Sequence, residues 1–314
     1  MKRITALALA VVMALTICCT ALAESRAPEA DKMYIADEIN ATSIYRKYDQ
    51  NFYDSEATQQ GTVVRVDYTT DVYGEPIETW ANVYLPYGFD DSGATRYNIY
   101  YFMHGTNENQ DSFIGEARCK NALDNMIEQG VAEPFIMVFP TYYYDYENRA
   151  TDHKTFVQEV RKDLMPAVES AYPTYAETAD EAGFIASRAH RAFGGYSQGC
   201  FVTWILLSDM IDYAKWFLPF SGSGEGNYDT LKEALEKYSD YADDFFLYIA
   251  AGGKRDTIGY GGAIALTNKM LTDKAFSFGI DPTSNNFYTM IGQEVHQTMM
   301  SRFYLYNAFD VLFQ

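Results

Sequence analysis

The chain has 314 residues, with 24 Lys and Arg against 43 Asp and Glu, a net charge of −19 at pH 7 and 48% hydrophobic residues. So acidic a chain repels nucleic-acid backbones and anionic membrane surfaces, which excludes both as expected partners. The length is ample for one α/β domain with a large buried core.

Residues 1–23 open with Met1-Lys2-Arg3, continue through an apolar stretch over 4–18 and end in Ala21-Leu22-Ala23. That is the charged, apolar and small-residue order of a secretory signal peptide, and the stretch falls short of the roughly 20 residues a membrane span needs. Cys18 and Cys19 raise the alternative of a lipoprotein, but Ile17 is not the small residue such processing wants. Loss of Lys2 and Arg3 with this segment takes the net charge from −19 to −21. A secreted, extracellular protein is expected. Residues 24–58 are polar and weakly periodic; they are expected to be a surface arm with a helix around 32–48, and they carry the short glycosylation pattern Asn40-Ala41-Thr42.

Residues 59–314 read as one α/β domain. Strand alternation over 61–70 is followed by a turn at 73–76 and a second strand within 80–89. Residues 97–103 form the next strand, and His104-Gly105-Thr106 follows it. Helix 122–130 leads to strand 134–140 and then to a Tyr-rich loop over 140–146. Helix 156–166 precedes strand 191–196, and helix 201–211 follows it. Strand 245–251 runs into a Gly-rich loop that ends at Asp256. Strand 286–291 and a closing helix over 298–313 complete the order. Such alternation predicts a mostly parallel sheet with helices on both faces.

Gly195-Tyr196-Ser197-Gln198-Gly199 lies between strand 191–196 and the following helix. A G-x-S-x-G pentapeptide alone is a weak signal, since a glycine-rich turn produces it by chance. Its place on a strand-to-helix turn matches the nucleophile elbow of the α/β-hydrolase fold, in which the triad follows the order Ser, Asp or Glu, His. His296 is the one histidine after Ser197. Asp256 lies between them, beyond a buried strand, and is assigned over Asp281 and Glu294: the first precedes its strand, and the second sits two residues from His296. All three candidates fall past the C-terminal ends of strands, where open α/β sheets bind ligands. Ser197 is thus expected to be the nucleophile, His296 the general base and acid, and Asp256 the group that orients the imidazole. The backbone N–H groups of Thr106 and Gln198 are the expected oxyanion donors. His104 is expected to tie down its loop, His153 to be exposed at the start of a polar helix, and His190 to sit at a strand edge.

The segments 80–89 (WANVYLPYGF), 101–105 (YFMHG), 122–130, 134–140 and 156–172, taken together, resemble the esterase-D-like carbohydrate esterases, the group of feruloyl and acetylxylan esterases. The family usually continues Ser-Met-Gly-Gly, where this chain has Ser197-Gln198-Gly199-Cys200. The resemblance implies an α/β-hydrolase fold and a secreted serine carboxylesterase that removes feruloyl or acetyl groups from plant cell-wall polysaccharide. Acyl transfer to a sugar on the same triad, and a silent sugar-binding homologue, are the alternatives. An acylated polysaccharide or oligosaccharide is the expected partner. Cys119 and Cys200, the cysteines outside the export segment, carry no metal-ligand spacing; either a disulfide or two buried thiols fits them. No cofactor or metal is expected. Tyr142 and Tyr143, at the ligand edge, are candidate substrate contacts against the alternative of a loop packed on itself.

Overall fold

The computed structural model describes residues 31–34, 42–45, 51–143 and 152–314. The proposed export segment, the sequon residue Asn40 and most of the Tyr-rich loop lie outside them. Two short antiparallel strands, β1 (Asp31–Tyr34) and β2 (Thr42–Tyr45), stand where a helix over 32–48 was expected. Weak periodicity in a polar stretch does not reveal a strand pair, because its hydrogen bonds join residues that local pattern leaves unrelated.

Eight further strands form one sheet. In chain order they are β3 (Thr62–Thr70), β4 (Ile77–Leu85), β5 (Asn98–Met103), β6 (Phe135–Phe139), β7 (Arg191–Tyr196), β8 (Trp216–Phe220), β9 (Phe246–Ala251) and β10 (Phe287–Ile291). Their spatial order is β10-β9-β8-β7-β5-β6-β4-β3. β4 pairs antiparallel with β3 and with β6, and the other neighbours are parallel. The parallel strands β7, β8, β9 and β10 are buried throughout, as strands covered on both faces must be. Their side chains alternate between two apolar layers. Phe193, Phe217, Leu247 and Ile249 face a layer with Val202, Leu206 and Leu231. Ala192, Leu218, Phe220 and Tyr248 face a layer with Leu123, Met126 and Leu305.

The helices that fill these layers include α1 (Cys119–Glu128), α2 (His153–Glu159), α3 (Gln198–Met210), α4 (Asn227–Lys237), α5 (Tyr260–Leu271) and α6 (Ser301–Phe309). The helix expected over 156–166 is interrupted. A π-helical turn, Val160–Leu164, separates α2 from a helix over Met165–Ala171. Pro166 has no N–H to give back to its own turn, and the Met165 N–H reaches Val160 instead. Cys119 and Cys200 are both free and buried. This is an α/β-hydrolase architecture, and every parallel strand delivers its following loop to one edge.

Candidate active site

Ser197 stands between the last residue of β7 and the first of α3, with φ 55° and ψ −111°. A side chain in that backbone region is strained, and the surroundings must hold it there. Its N–H donates to Phe220 O at 2.9 Å. Two glycines make the turn sterically possible. A Cβ on Gly195 would lie 2.5 Å from Gly199 O, and one on Gly199 would lie 2.2 Å from Met103 O. The turn is therefore pressed against the end of β5, and the serine projects from the sheet edge.

Ser197 Oγ lies 2.9 Å from His296 Nε2, and His296 Nδ1 lies 2.9 Å from Asp256 Oδ1. Asp256 follows β9 by five residues, and His296 follows β10 by five. A carboxylate only accepts, so Nδ1–H donates to Asp256, which leaves the Nε2 lone pair facing the serine hydroxyl. Asp256 is completely buried. Burial pushes its carboxyl up, but hydrogen bonds from His296, Ser221 and the N–H groups of Gly259 and Gly252 outweigh it and hold the group down at about 2. The His296 ring stacks on Tyr196, with centroids 5.0 Å apart. The rivals stand elsewhere: Asp281 is exposed and accepts from Thr283 and Ser284, and Glu294 is buried beside Gly292.

Sequence reasoning missed Ser221. Its hydroxyl donates to Asp256 Oδ2 and lies 2.9 Å from His296 Nδ1. It immediately follows β8, so the signal was the same one used for its neighbours: a polar residue just past a buried strand at this edge.

On the other side of Ser197, His104 is buried and stacks on Tyr142. Burial pulls the imidazole down to about 4 despite the Gly105 carbonyl that would favour its charged form. It is neutral, with Nδ1 donating to Gly105 O at 2.8 Å and Nε2 accepting from Thr141 Oγ1 at 2.9 Å. The loop is tied a second time, by the Gly105 N–H donating to Glu108 Oε2 at 2.6 Å. The other Glu108 oxygen accepts from Thr298 Oγ1, two residues beyond His296. One carboxylate thus bridges the loop after β5 and the loop after β10, a link between residues too far apart in the chain for sequence reasoning to see. Burial pushes the Glu108 carboxyl up to about 7; the Gly105 N–H pulls the other way, Glu116 adds to the rise and His296 opposes it. Thr106 is exposed next to this tied turn, and Gln198 opens α3, where a helix leaves its first N–H groups without intrahelical partners.

No family model matches the chain. It is 32% identical over 296 residues to endo-1,4-beta-xylanase Y of Acetivibrio thermocellus, which covers 90% of the chain but 26% of the relative's length. A feruloyl esterase module from Clostridium thermocellum, solved as a serine-to-alanine mutant with sinapinate, is 28% identical with a TM-score of 0.76 over 92% of this chain and 97% of that one. A structure of a protein called FAE is 29% identical with a TM-score of 0.79 over the same shares of the two chains. The chain is thus similar to a feruloyl esterase module over nearly the whole length of that module. The separation of Ser197, His296 and Asp256 is one that serine ester hydrolysis can use.

Within this fold the two tyrosines divide. Tyr142 is corrected from a substrate contact to a structural residue. It is 3% exposed, its hydroxyl donates to His104 O at 2.5 Å, and its ring packs on His104 and Phe156. Tyr143 is half-buried; its hydroxyl donates to Gln198 Oε1 and its ring borders an open groove. His153 is also corrected: it is half-buried, not exposed, with Nε2 2.9 Å from Gln198 Nε2. The Gln198 side chain is thus held by Tyr143 and His153. His190 stacks on Tyr175 at the start of β7, far along the strand from the elbow.

Proposed function

We propose that the chain is a secreted carboxylesterase that removes feruloyl or acetyl groups from xylan through an acyl-enzyme on Ser197. The observation that carries this reading is the continuous relay from Ser197 Oγ through His296 to a buried, ionised Asp256. His296 Nε2 takes the serine proton as Oγ attacks the ester carbonyl. The N–H groups of Thr106 and Gln198 receive the developing oxyanion, each worth roughly 3–4 kcal/mol of barrier. Collapse expels the sugar alcohol, which takes the proton from the imidazolium. Water, deprotonated by the same imidazole, then frees the carboxylic acid and restores Ser197. Relatives named as a feruloyl esterase and as a xylanase supply the substrate class. The charged, apolar and small-residue order of residues 1–23 supports export. Among the described residues no helix is long and apolar enough to cross a membrane.

Methyl ferulate, acetylated xylan and p-nitrophenyl acetate together separate the acyl groups. Ser197→Ala is expected to lower kcat by at least about a thousandfold on every ester the wild type turns over, with the thermal midpoint kept. Undiminished turnover in that variant removes Ser197 from the mechanism.

A further inference from the structure

A groove of about 440 Å³ lies beside the loop after β5, bordered by Trp80, Glu78, Asn109, Asp111 and Tyr143. Sheet register brings these together. β4 runs antiparallel to β6 with Asn82 opposite Phe139, so Trp80 lies level with the residues just past the end of β6. The groove adjoins the reacting centre twice: Tyr143 donates to the Gln198 side chain, and Glu108, also in the lining, holds the Gly105 N–H. Its volume is that of a small-ligand site.

The lining determines what can bind. Trp80 is half-buried, and the Arg65 guanidinium sits 4.1 Å from its ring centroid, itself fixed by Asp67 at 2.7 Å. An indole ring is a flat apolar platform with few rotatable bonds to order on binding. Around it stand the acidic side chains of Glu78, Glu108 and Asp111, and none of the lining residues is basic. An anionic ligand is repelled. A flat phenolic acyl group brings few donors to the exposed Glu78 and Asp111 carboxylates, and covering them without donors is costly. A neutral ring rich in hydroxyl donors, with apolar C–H faces, meets both demands.

We propose that this groove is the subsite for the sugar portion of the ester, with Trp80 stacking on a sugar ring and the carboxylates of Glu78 and Asp111 accepting from its hydroxyls. The assignment rests on the esterase reading for its role in turnover, but not for binding itself.

Two measurements test it. Ser197→Ala protein is titrated calorimetrically with an unesterified xylo-oligosaccharide; saturable binding is expected, weakened at least about tenfold when Trp80→Ala is added. The kcat/KM ratio for a feruloylated xylo-oligosaccharide against methyl ferulate is then compared between wild type and Trp80→Ala, with a fall of at least about tenfold expected. Glu78→Gln, at an exposed position, carries the same comparison if Trp80→Ala does not fold. Equal losses on both esters, or absence of oligosaccharide binding, overturn the sugar subsite even if ester turnover is robust. Oligosaccharide binding that depends on Trp80, with no ester turned over by the wild type, leaves the subsite standing and defeats the esterase reading instead.

Discussion

The Asp256 carboxylate accepts from His296 Nδ1, Ser221 Oγ and the N–H groups of Gly252 and Gly259. That is why it stays ionised while fully buried, and why the imidazole it faces is held in one tautomer. Ser221 touches no substrate in this scheme; it positions the acid. Removing its hydroxyl forfeits one bond to a charged group, roughly 1.5–3 kcal/mol in a buried site. Part of that loss falls on the transition state, so Ser221→Ala is expected to lower kcat on p-nitrophenyl acetate about tenfold with KM little changed. A changed KM with kcat intact would mean that Ser221 shapes the pocket instead. Glu108 makes an opposite statement about pH. Its ordinary value is 4.5 and its folded value about 7, so below about 4.5 it is protonated whether folded or not. Between those values the unfolded chain releases a proton that the folded chain keeps, and stability falls as pH rises through the window. Glu108→Gln is therefore expected to gain stability relative to wild type from pH 5 to pH 8 in urea unfolding, a gap that stays level above about 7. A gap independent of pH would show that the carboxyl ionises as freely in the fold as outside it. Of these residues the sequence exposed Ser197, Asp256 and His296 through strand ends and chain order. It concealed Glu108, whose partners Gly105 and Thr298 are joined only by the fold.

The elbow is an element held by contact with its neighbour. Gly199 leaves room for Met103 O and His104 O, which a Cβ would approach to 2.2 and 2.7 Å. Backbone cannot yield as a flexible side chain does, so Gly199→Ala must shift α3 away from β5. The expected cost is about 1–3 kcal/mol in stability and about a hundredfold in kcat from displacement of Ser197. Chemical unfolding and p-nitrophenyl acetate kinetics measure the two, and wild-type values for both would contradict the close seat of the turn. Strands 191–196, 245–251 and 286–291 were legible to within a residue because buried parallel strands read as short apolar runs. The π-helical turn before Pro166 was not, since the pattern of apolar residues continues through it unchanged. The tyrosine pair shows the same limit: sequence puts Tyr142 and Tyr143 at the right edge but does not say which ring turns inward.

Across the whole molecule, the parallel strands deliver Ser197, Asp256 and His296 to one edge, while the opposite end of β7 is anchored by a buried ion pair. Arg191 lies 2.7 Å from Glu169 and also donates to Phe184 O and Tyr213 O. The strand that leads into Ser197 is thus fixed at its base and strained at its tip. Order along the chain was enough to assemble the relay in principle, since a right-handed α/β alternation leaves few places for three successive strand ends to go. It could not supply distances. The central claim is that the Ser197 hydroxyl, activated through His296, forms the covalent intermediate. Exposure to p-nitrophenyl ethylphosphonate, followed by intact-mass measurement and peptide mapping, tests this most directly. The account predicts one adduct per chain, on Ser197, appearing in step with loss of ester turnover and absent in Ser197→Ala. Inactivation with the adduct on another residue, or no adduct from a chain that still hydrolyses esters, would contradict it.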